Sequence, residues 1–481
     1  MKRSYYIVAL IMLTFFVISF ITNIIGPLSP AFVNDFHLSK TLAAVIPFAF
    51  FIAYGIMSIP TSMLVQKYNE KKIMVAAFVV AFIGSLLIAI FPNYLTVVLS
   101  LFLIGCGMAM LQVVINPLLR VAGGEENYAS TSVLAQLIFG GASFISPLVY
   151  SYLVLNLQSH QQNQVKSVFQ SIVPGNMTWI SLYWLFTVIS LAMFIIMLLS
   201  KFPVVELKSD EKAGPWSTHV NLFKKRVVVL FFIGLFCYVG TEQGVSFWMP
   251  QFLKGYFHYN PETVGAANVA NFWGLMTVGG ILGLILLKVM DSRKLLILFG
   301  IPALVALTLG LFGSATVSLY SFPIVGFFMS VMYPIVFSLA LSSVSEDHGS
   351  FAGILVTGII GGAVVQLLIG ALGDAFGLRA GMLVLYLTMG YIVSIGIWAR
   401  PIVKNETVPL NAKISGYIGL MVAEIFIAVI FTHDHLDQLF TLSFWATYPK
   451  YIILGGIGGF CIPYAIAYLL LRNRRTNQTI H

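Results

Sequence analysis

The chain has 481 residues, of which 59% are hydrophobic and 9% charged, with a formal net charge of +9. A mean hydropathy of +0.94 over this length excludes an ordinary water-soluble domain. The three cysteines, Cys106, Cys237 and Cys461, all stand in apolar segments, so they read as packing residues and not as a disulfide framework or a metal site.

Apolar runs of about 20 residues cross a bilayer as helices, because each span must satisfy its own backbone groups. The alternating ten-residue segments of an outer-membrane barrel are absent from this sequence. Six helices are expected at 5–33, 41–66, 72–92, 94–120, 130–155 and 178–200. Six more are expected at 227–253, 262–288, 294–313, 316–344, 350–374 and 378–399, and a last pair at 413–432 and 450–471. The first run follows Met1-Lys2-Arg3 and is too long for the apolar core of a cleaved leader, so it reads as a span. This gives an N-terminal bundle over 1–200, a charged linker over 201–226, a C-terminal bundle over 227–400 and a C-terminal extension over 401–481.

Charge placement supports the count. With the N-terminus in the cytosol and sides alternating, 21 of the 26 lysines and arginines fall on the cytosolic side; only Lys40, Lys166, Lys254, Arg379 and Lys450 fall opposite. That is a strong positive-inside bias. It predicts a multi-pass inner or plasma membrane protein with both termini cytosolic, and it accounts for the basic charge without nucleic acid.

The two sets of six contain matched segments. Ile138-Phe-Gly140-Gly141-Ala142 pairs with Ile359-Ile-Gly361-Gly362-Ala363, Pro117 with Pro334, and Phe15-Phe16 with Phe231-Phe232, at offsets near 216–221. Parallel repeats of six helices with a site between them are the plan of major facilitator transporters.

One carboxylate stands out. Glu242 lies inside the apolar run that begins at Phe231, about 24 Å along helix 7 from its cytosolic start at about 1.5 Å per residue. An intramembrane charge faces a protein interior or an aqueous path. It reads as an acceptor for a proton or for a sugar hydroxyl, on a helix that Gly240 and Gly244 make easy to bend. Neutral amides recur in the helices: Asn23, Gln112, Asn116, Gln136, Gln243, Asn271 and Gln366. An amide both donates and accepts, which suits paired sugar hydroxyls, although amides also hold membrane helices together. Tyr238, Trp273 and Tyr54 offer faces for a sugar ring, or ordinary packing. No phosphate-binding loop, metal triplet or hydrolytic triad is present, so no enzyme activity, cofactor or metal is expected. The His433-Asp434-His435-Leu436-Asp437 run in the last loop reads as a solvated segment, and Glu424 lies outside the duplicated body.

Over residues 5–400 the chain resembles the fucose permease-type sugar symporters, a branch of the major facilitator superfamily. Helix 4 carries Gly105-Cys-Gly107 followed by Gln112 and Asn116-Pro117, like the family's Gly-x-Gly and Glu/Gln-x-x-x-Asn-Pro. Helix 7 carries Tyr238-Val-Gly240-Thr-Glu242, helix 8 Trp273-Gly-x-Met276, helix 10 Tyr333-Pro334-Ile-Val-Phe-Ser338, and helix 11 Gly361-Gly-Ala363 and later Gly373-Asp374. The departures are specific. The family's helix 1 carboxylate falls at Gly26, and its helix 4 glutamate is Gln112. The arginine after the helix 8 glycine is Gly280, and the helix 11 proline is Gln366. The loop after helix 2 lacks the superfamily's aspartate and glycines.

The resemblance implies an all-helical membrane fold of two six-helix bundles, here extended by a C-terminal hairpin to about 14 helices. It implies a monomeric secondary transporter of a small neutral solute, a monosaccharide, with proton-coupled uptake. A sodium-coupled or uncoupled carrier, an exporter, and a non-transporting sensor on the same fold stand as alternatives. Gln112, Gln136 and Asn116 lead the sugar contacts by family match, with Asn23, Tyr238, Gln243, Asn271, Trp273 and Gln366 beside them. Ion coupling falls to Glu242, the repeat equivalent of the Gly26 position where the carboxylate is missing.

Overall fold

The computed structural model describes residues 5–123, 128–159, 161–202, 214 and 216–402. Among them, twelve helices are long and apolar enough to cross a membrane. They are α1 (Tyr5–Asp35), α2 (Lys40–Val65), α3 (Glu70–Ile90), α4 (Tyr94–Ile115), α5 (Thr131–Gln158) and α6 (Ile180–Leu199) in the first half. The second half holds α7 (Arg226–Phe257), α8 (Pro261–Leu286), α9 (Ser292–Phe312), α10 (Ala315–Leu341), α11 (His348–Phe376) and α12 (Leu378–Trp398). The hairpin expected at 413–432 and 450–471, with Glu424 and the His433–Asp437 run, lies outside the described residues. The expected linker contains a short helix, Trp216–Phe223, and the loop before α6 another, Gln164–Phe169.

The duplication appears as a repeated packing scheme. In the first half α3 packs on α4 and α6, α2 on α4, and α1 on α4 and α5. Six helices later the same scheme recurs: α9 on α10 and α12, α8 on α10, and α7 on α10 and α11. The halves meet along α2–α11, α5–α8 and α1–α7. The first two pairings exchange under a two-fold axis that relates the halves, and the third maps onto itself. The α5–α8 seam is made by reciprocal insertion: Thr277 fills the space beside Gly140, and the Phe144 ring that beside Gly274.

Two of the spans break at prolines, whereas α11 is interrupted by a 3-10 turn at Gly358–Ile360. A proline lacks the N–H for the carbonyl four residues back and its ring crowds that carbonyl. Pro27 stands four residues after Asn23, and α1 breaks there into Tyr5–Thr22 and Ile25–Asp35. Pro334 stands four residues after Ser330, and α10 breaks there into Ala315–Met329 and Met332–Leu341. In α7 the helix runs on through Pro250, which leaves the carbonyl of Ser246 without its helical donor.

Gly240 and Gly244 differ from the expectation of an easily bent point. Arg226–Phe257 is one continuous helix. The two glycines instead let α7 lie close to its neighbours: a Cβ at Gly240 would press on Val365, and one at Gly244 would come within 2.7 Å of Leu385.

The molecule is closed at one face. We call the face that carries the start of α1 the N-face and its opposite the far face. At the far face Lys254 Nζ donates to Asn34 Oδ1 at 2.9 Å, Gln158 Nε2 to Glu262 Oε1 at 3.3 Å, and the N–H groups of Lys40 and Thr41 to Asp374, each at 2.8 Å. Each of these bonds joins one half to the other. The far-face part of α1, Ile25–Asp35, packs on α7, whereas Tyr5–Thr22 packs on α4 and α5. Along α1 and α7 the contact is therefore concentrated towards the far face, whereas α2 and α11 stay packed through His348–Thr357 near the N-face. Gln136 is exposed although it shares a helix face with buried Gly140 and Ser143, one and two turns nearer the seal.

Candidate substrate site between the two halves

Glu242 stands midway along α7 and is partly exposed. The hydroxyl of Tyr238, one turn earlier, donates to its Oε1 at 2.7 Å. A longer contact of 3.5 Å runs from Gln243 Nε2 to Oε2. Tyr238 is buried, and its ring meets that of Tyr333 of α10 at 5.5 Å, which in turn stacks on Phe337 at 5.9 Å. Gly240 and Gly244 point the opposite way, into α11 and α12. The carboxyl thus lies on the face of α7 turned away from α11 and α12, beside the aromatic cluster that α7 shares with α10.

The next turn of α7 forms the seal against α1. The Ser246 carbonyl that Pro250 leaves free approaches Gly26, where a Cβ would lie only 2.5 Å from that oxygen and 3.0 Å from its carbon. Only glycine permits this backbone contact, which is close enough for a Cα–H donor to reach the carbonyl. Gly26 therefore has no room for a side chain in this arrangement. Glu242 lies one helical turn on the N-face side of that plug.

The remaining expected residues separate into two groups. Gln112 and Asn271 are partly exposed and Gln136 is exposed, so they are accessible amides in α4, α8 and α5. Asn23, Gln243, Trp273 and Gln366 are buried. Asn23 sits at the break of α1, where its Nδ2 donates to Ser143 Oγ at 2.8 Å, and Ser19 bonds both Ser143 Oγ and the Phe139 carbonyl. That network ties α1 to α5, and Ser146 adds a bond to the Phe20 carbonyl at 2.7 Å. Gln366 is fully enclosed on the α11 surface that meets α2, and neither amide atom has a hydrogen-bond partner among the described residues. Trp273 Nε1 is likewise unpartnered there. The backbone of Asn116 is helical, and its side chain lies outside the described residues. Tyr54 is buried in α2, within electrostatic reach of Tyr333. Tyr333 is the residue that sequence reasoning passed over: it lies in a recognised motif, but only the fold brings it to Tyr238.

Two six-helix halves with a carboxyl and amides at their junction define a multi-pass membrane protein of the transporter class. Residues 11–359 match the Major Facilitator Superfamily, and the chain belongs to that family. It is 31% identical over 394 residues to a glucose/galactose transporter of Brucella abortus, covering 80% of this chain and 92% of that one. It is 27% identical over 396 residues to the L-fucose-proton symporter of Escherichia coli K12, covering 78% and 89%. Among solved structures, the E. coli fucose:proton symporter in an outward conformation shares the fold with a TM-score of 0.60, at 24% identity over 82% of this chain and 98% of that one. An inward-facing, occupied bacterial homologue of the human lysosomal transporter Spinster gives 0.67, at 15% identity over 83% and 97%.

Proposed function

We propose that the chain is a secondary active transporter that takes up a monosaccharide with protons by alternating access, with Glu242 as the coupling group. The observation that carries the reading is the Tyr238–Glu242 pair, held at 2.7 Å one turn from the α1–α7 seal. Relatives named for glucose, galactose and fucose transport support a hexose-sized neutral solute.

An ionised carboxylate only accepts hydrogen bonds, whereas a protonated one also donates. Protonation of Glu242 would therefore change both its bond with Tyr238 and what it offers to a sugar hydroxyl. Gln112, Gln136, Asn271 and Gln243 are the amides assigned to the sugar, and Asn116 joins them by family match. Gln366, Asn23 and Trp273 come second: like Gln243 they are buried in this arrangement, but of the four Gln243 alone contacts Glu242. The N-face is assigned to the cytosol of the inner membrane by the distribution of basic residues. The working unit is a monomer in the bilayer, with bundles over 1–200 and 227–400 joined by the linker 201–226 and followed by the extension 401–481.

Uptake into proteoliposomes tests the reading. Radiolabelled glucose, galactose and fucose are offered with a proton gradient, with a sodium gradient, and with none. Concentration of one of them only with the proton gradient is the expected result. Sodium dependence would move the coupling to another ion, equal rates in all three would make the protein a passive carrier, and binding without flux would make it a sensor.

A further inference from the structure

The far face is held shut by an unusual grip. Helix α2 begins at Lys40, and the first N–H groups of any helix have no partner inside it. Ser39 caps one of them, accepting from Leu42 N–H at 3.2 Å. The two before it are satisfied from the other half: Lys40 N–H donates to Asp374 Oδ1 and Thr41 N–H to Asp374 Oδ2, each at 2.8 Å, and the Thr41 hydroxyl adds a bond of 2.6 Å. Both carboxylate oxygens are thus committed to the start of a helix in the opposite bundle. A negative charge there also meets the positive end of the helix dipole. The Lys40 ammonium, 3.7 Å away and about one-third exposed, adds little by comparison.

Asp374 is mounted firmly on its own half. Gly370, one turn back, has no side chain, so the end of α11 comes so near that a Cβ there would lie 2.6 Å from the Lys40 carbonyl. The chain then turns at Gly377, whose φ of 90° suits glycine. Two residues on, the Arg379 guanidinium is caged by three rings, 4.6 Å from Tyr256, 5.7 Å from Phe252 and 5.8 Å from Phe312. The Arg379 N–H also donates to the Tyr256 hydroxyl at 3.1 Å. The turn between α11 and α12 is therefore fixed to α7 and α9, with its aspartate reaching across the seam.

We propose that Asp374 is a gating residue of the transport cycle: it caps α2 across the seam, and the far face opens only when that cap is released. It acts through the helix end and not on the solute. Release leaves two N–H groups of α2 to find water, and it frees the C-terminal end of α11 to move with α12. The inference rests on the alternating-access reading.

The test uses Ser29→Cys as a reporter in the full chain, with Cys106, Cys237 and Cys461 replaced by serine. Ser29 is fully buried in the part of α1 that packs on α7. Its modification by a membrane-impermeant maleimide added at the far face reports opening of that face. Asp374→Asn is expected to raise the initial labelling rate about tenfold, as for the loss of one net hydrogen bond to a charged group. Asp374→Glu is expected to restore it in part. A second pair of variants bears on the same bond from the other side. Lys40→Pro removes one donating N–H at the first helical position, where proline is tolerated, and Ser39 already has the extended ψ of 164° that precedes proline. Lys40→Ala removes the ammonium and keeps the N–H. Labelling should rise in Lys40→Pro and stay at the parental rate in Lys40→Ala. Parental rates in both Asp374→Asn and Lys40→Pro, or equal rates in the two Lys40 variants, overturn the proposal. If Asp374→Asn does not reach the membrane, the Lys40 pair decides alone. Parental uptake of sugar, measured in parallel, separates the two readings: a failed latch leaves it intact, whereas a failed transporter reading removes it.

Discussion

Replacing Glu242 with glutamine isolates the coupling step. Glutamine has nearly the same shape and keeps a carbonyl oxygen for the Tyr238 hydroxyl, which now donates at 2.7 Å. What disappears is the exchangeable proton. The proposed coupling group also sets the expected stoichiometry. Neither Gly26 nor Gln112 carries a carboxyl, and Glu242 bonds only to Tyr238 and Gln243 among the described residues. One carboxyl implies one proton, and one net charge, per sugar. A membrane potential of 100 mV is worth about 2.3 kcal/mol per charge. At about 1.4 kcal/mol per decade, the parent protein should concentrate sugar roughly 45-fold at equilibrium.

The assay is the inside-to-outside ratio of labelled sugar in proteoliposomes under a potassium diffusion potential, followed to its plateau. Glu242→Gln should fall to a ratio of one while still exchanging labelled for unlabelled sugar across the membrane at equilibrium. Retention of the parental ratio would place coupling elsewhere and refute the reasoning. Loss of exchange together with accumulation, in a protein that still folds, would make Glu242 a sugar ligand first and would equally sink the claim that it serves coupling.

Three further outcomes follow from the packing. Gly26→Ala drives a Cβ into the Ser246 carbonyl, and relieving that overlap by parting α1 from α7 should cost about 1–3 kcal/mol, read as a lower thermal midpoint of the detergent-purified protein. Gln366→Leu replaces an enclosed, unpartnered amide by an apolar group of similar size and should raise the midpoint by an amount corresponding to about 1–3 kcal/mol; a fall would mean that the amide is satisfied in the dominant state. Asn23→Ala removes the bond to Ser143 and leaves the Ser19–Ser143 pair, so urea or thermal unfolding should show a loss of about 1 kcal/mol, with sugar affinity unchanged if the residue serves only the α1–α5 junction.

The first twelve spans and their duplication were legible because they rest on composition and period, which the bilayer imposes on every residue of a span. The helix breaks were not: Pro27 and Pro334 stand four residues after the breaks at Asn23 and Ser330, but Pro60, Pro147 and Pro302 lie in helices that run on unbroken. Nor were the roles of side chains within the helices. An amide in an apolar run carries the same signal whether it faces a solute, as accessible Gln136 can, or a neighbouring helix, as Asn23 does. Gly240 and Gly244 suggested a soft point because sequence shows the missing side chain and not the helix that fills its place. Asp374 was visible only as part of a motif. Its partners are backbone N–H groups more than 300 residues away, and backbone donors leave no trace in residue identity.

The α1–α7 contact sets the proposed coupling group beside the seal. The repeat offsets of 216–221 residues put the expected partner of Glu242 in the stretch of α1 that ends at Gly26. A side chain at Gly26 would keep α1 from the Ser246 carbonyl that Pro250 frees. Glycine allows that backbone contact, and Glu242 stands one turn from the plug. A change in the charge of Glu242 alters its hydrogen bond with Tyr238, on the same rigid helix that carries Ser246. Protonation and closure of α1 on α7 can therefore communicate over about 6 Å, one turn of helix, without a longer relay.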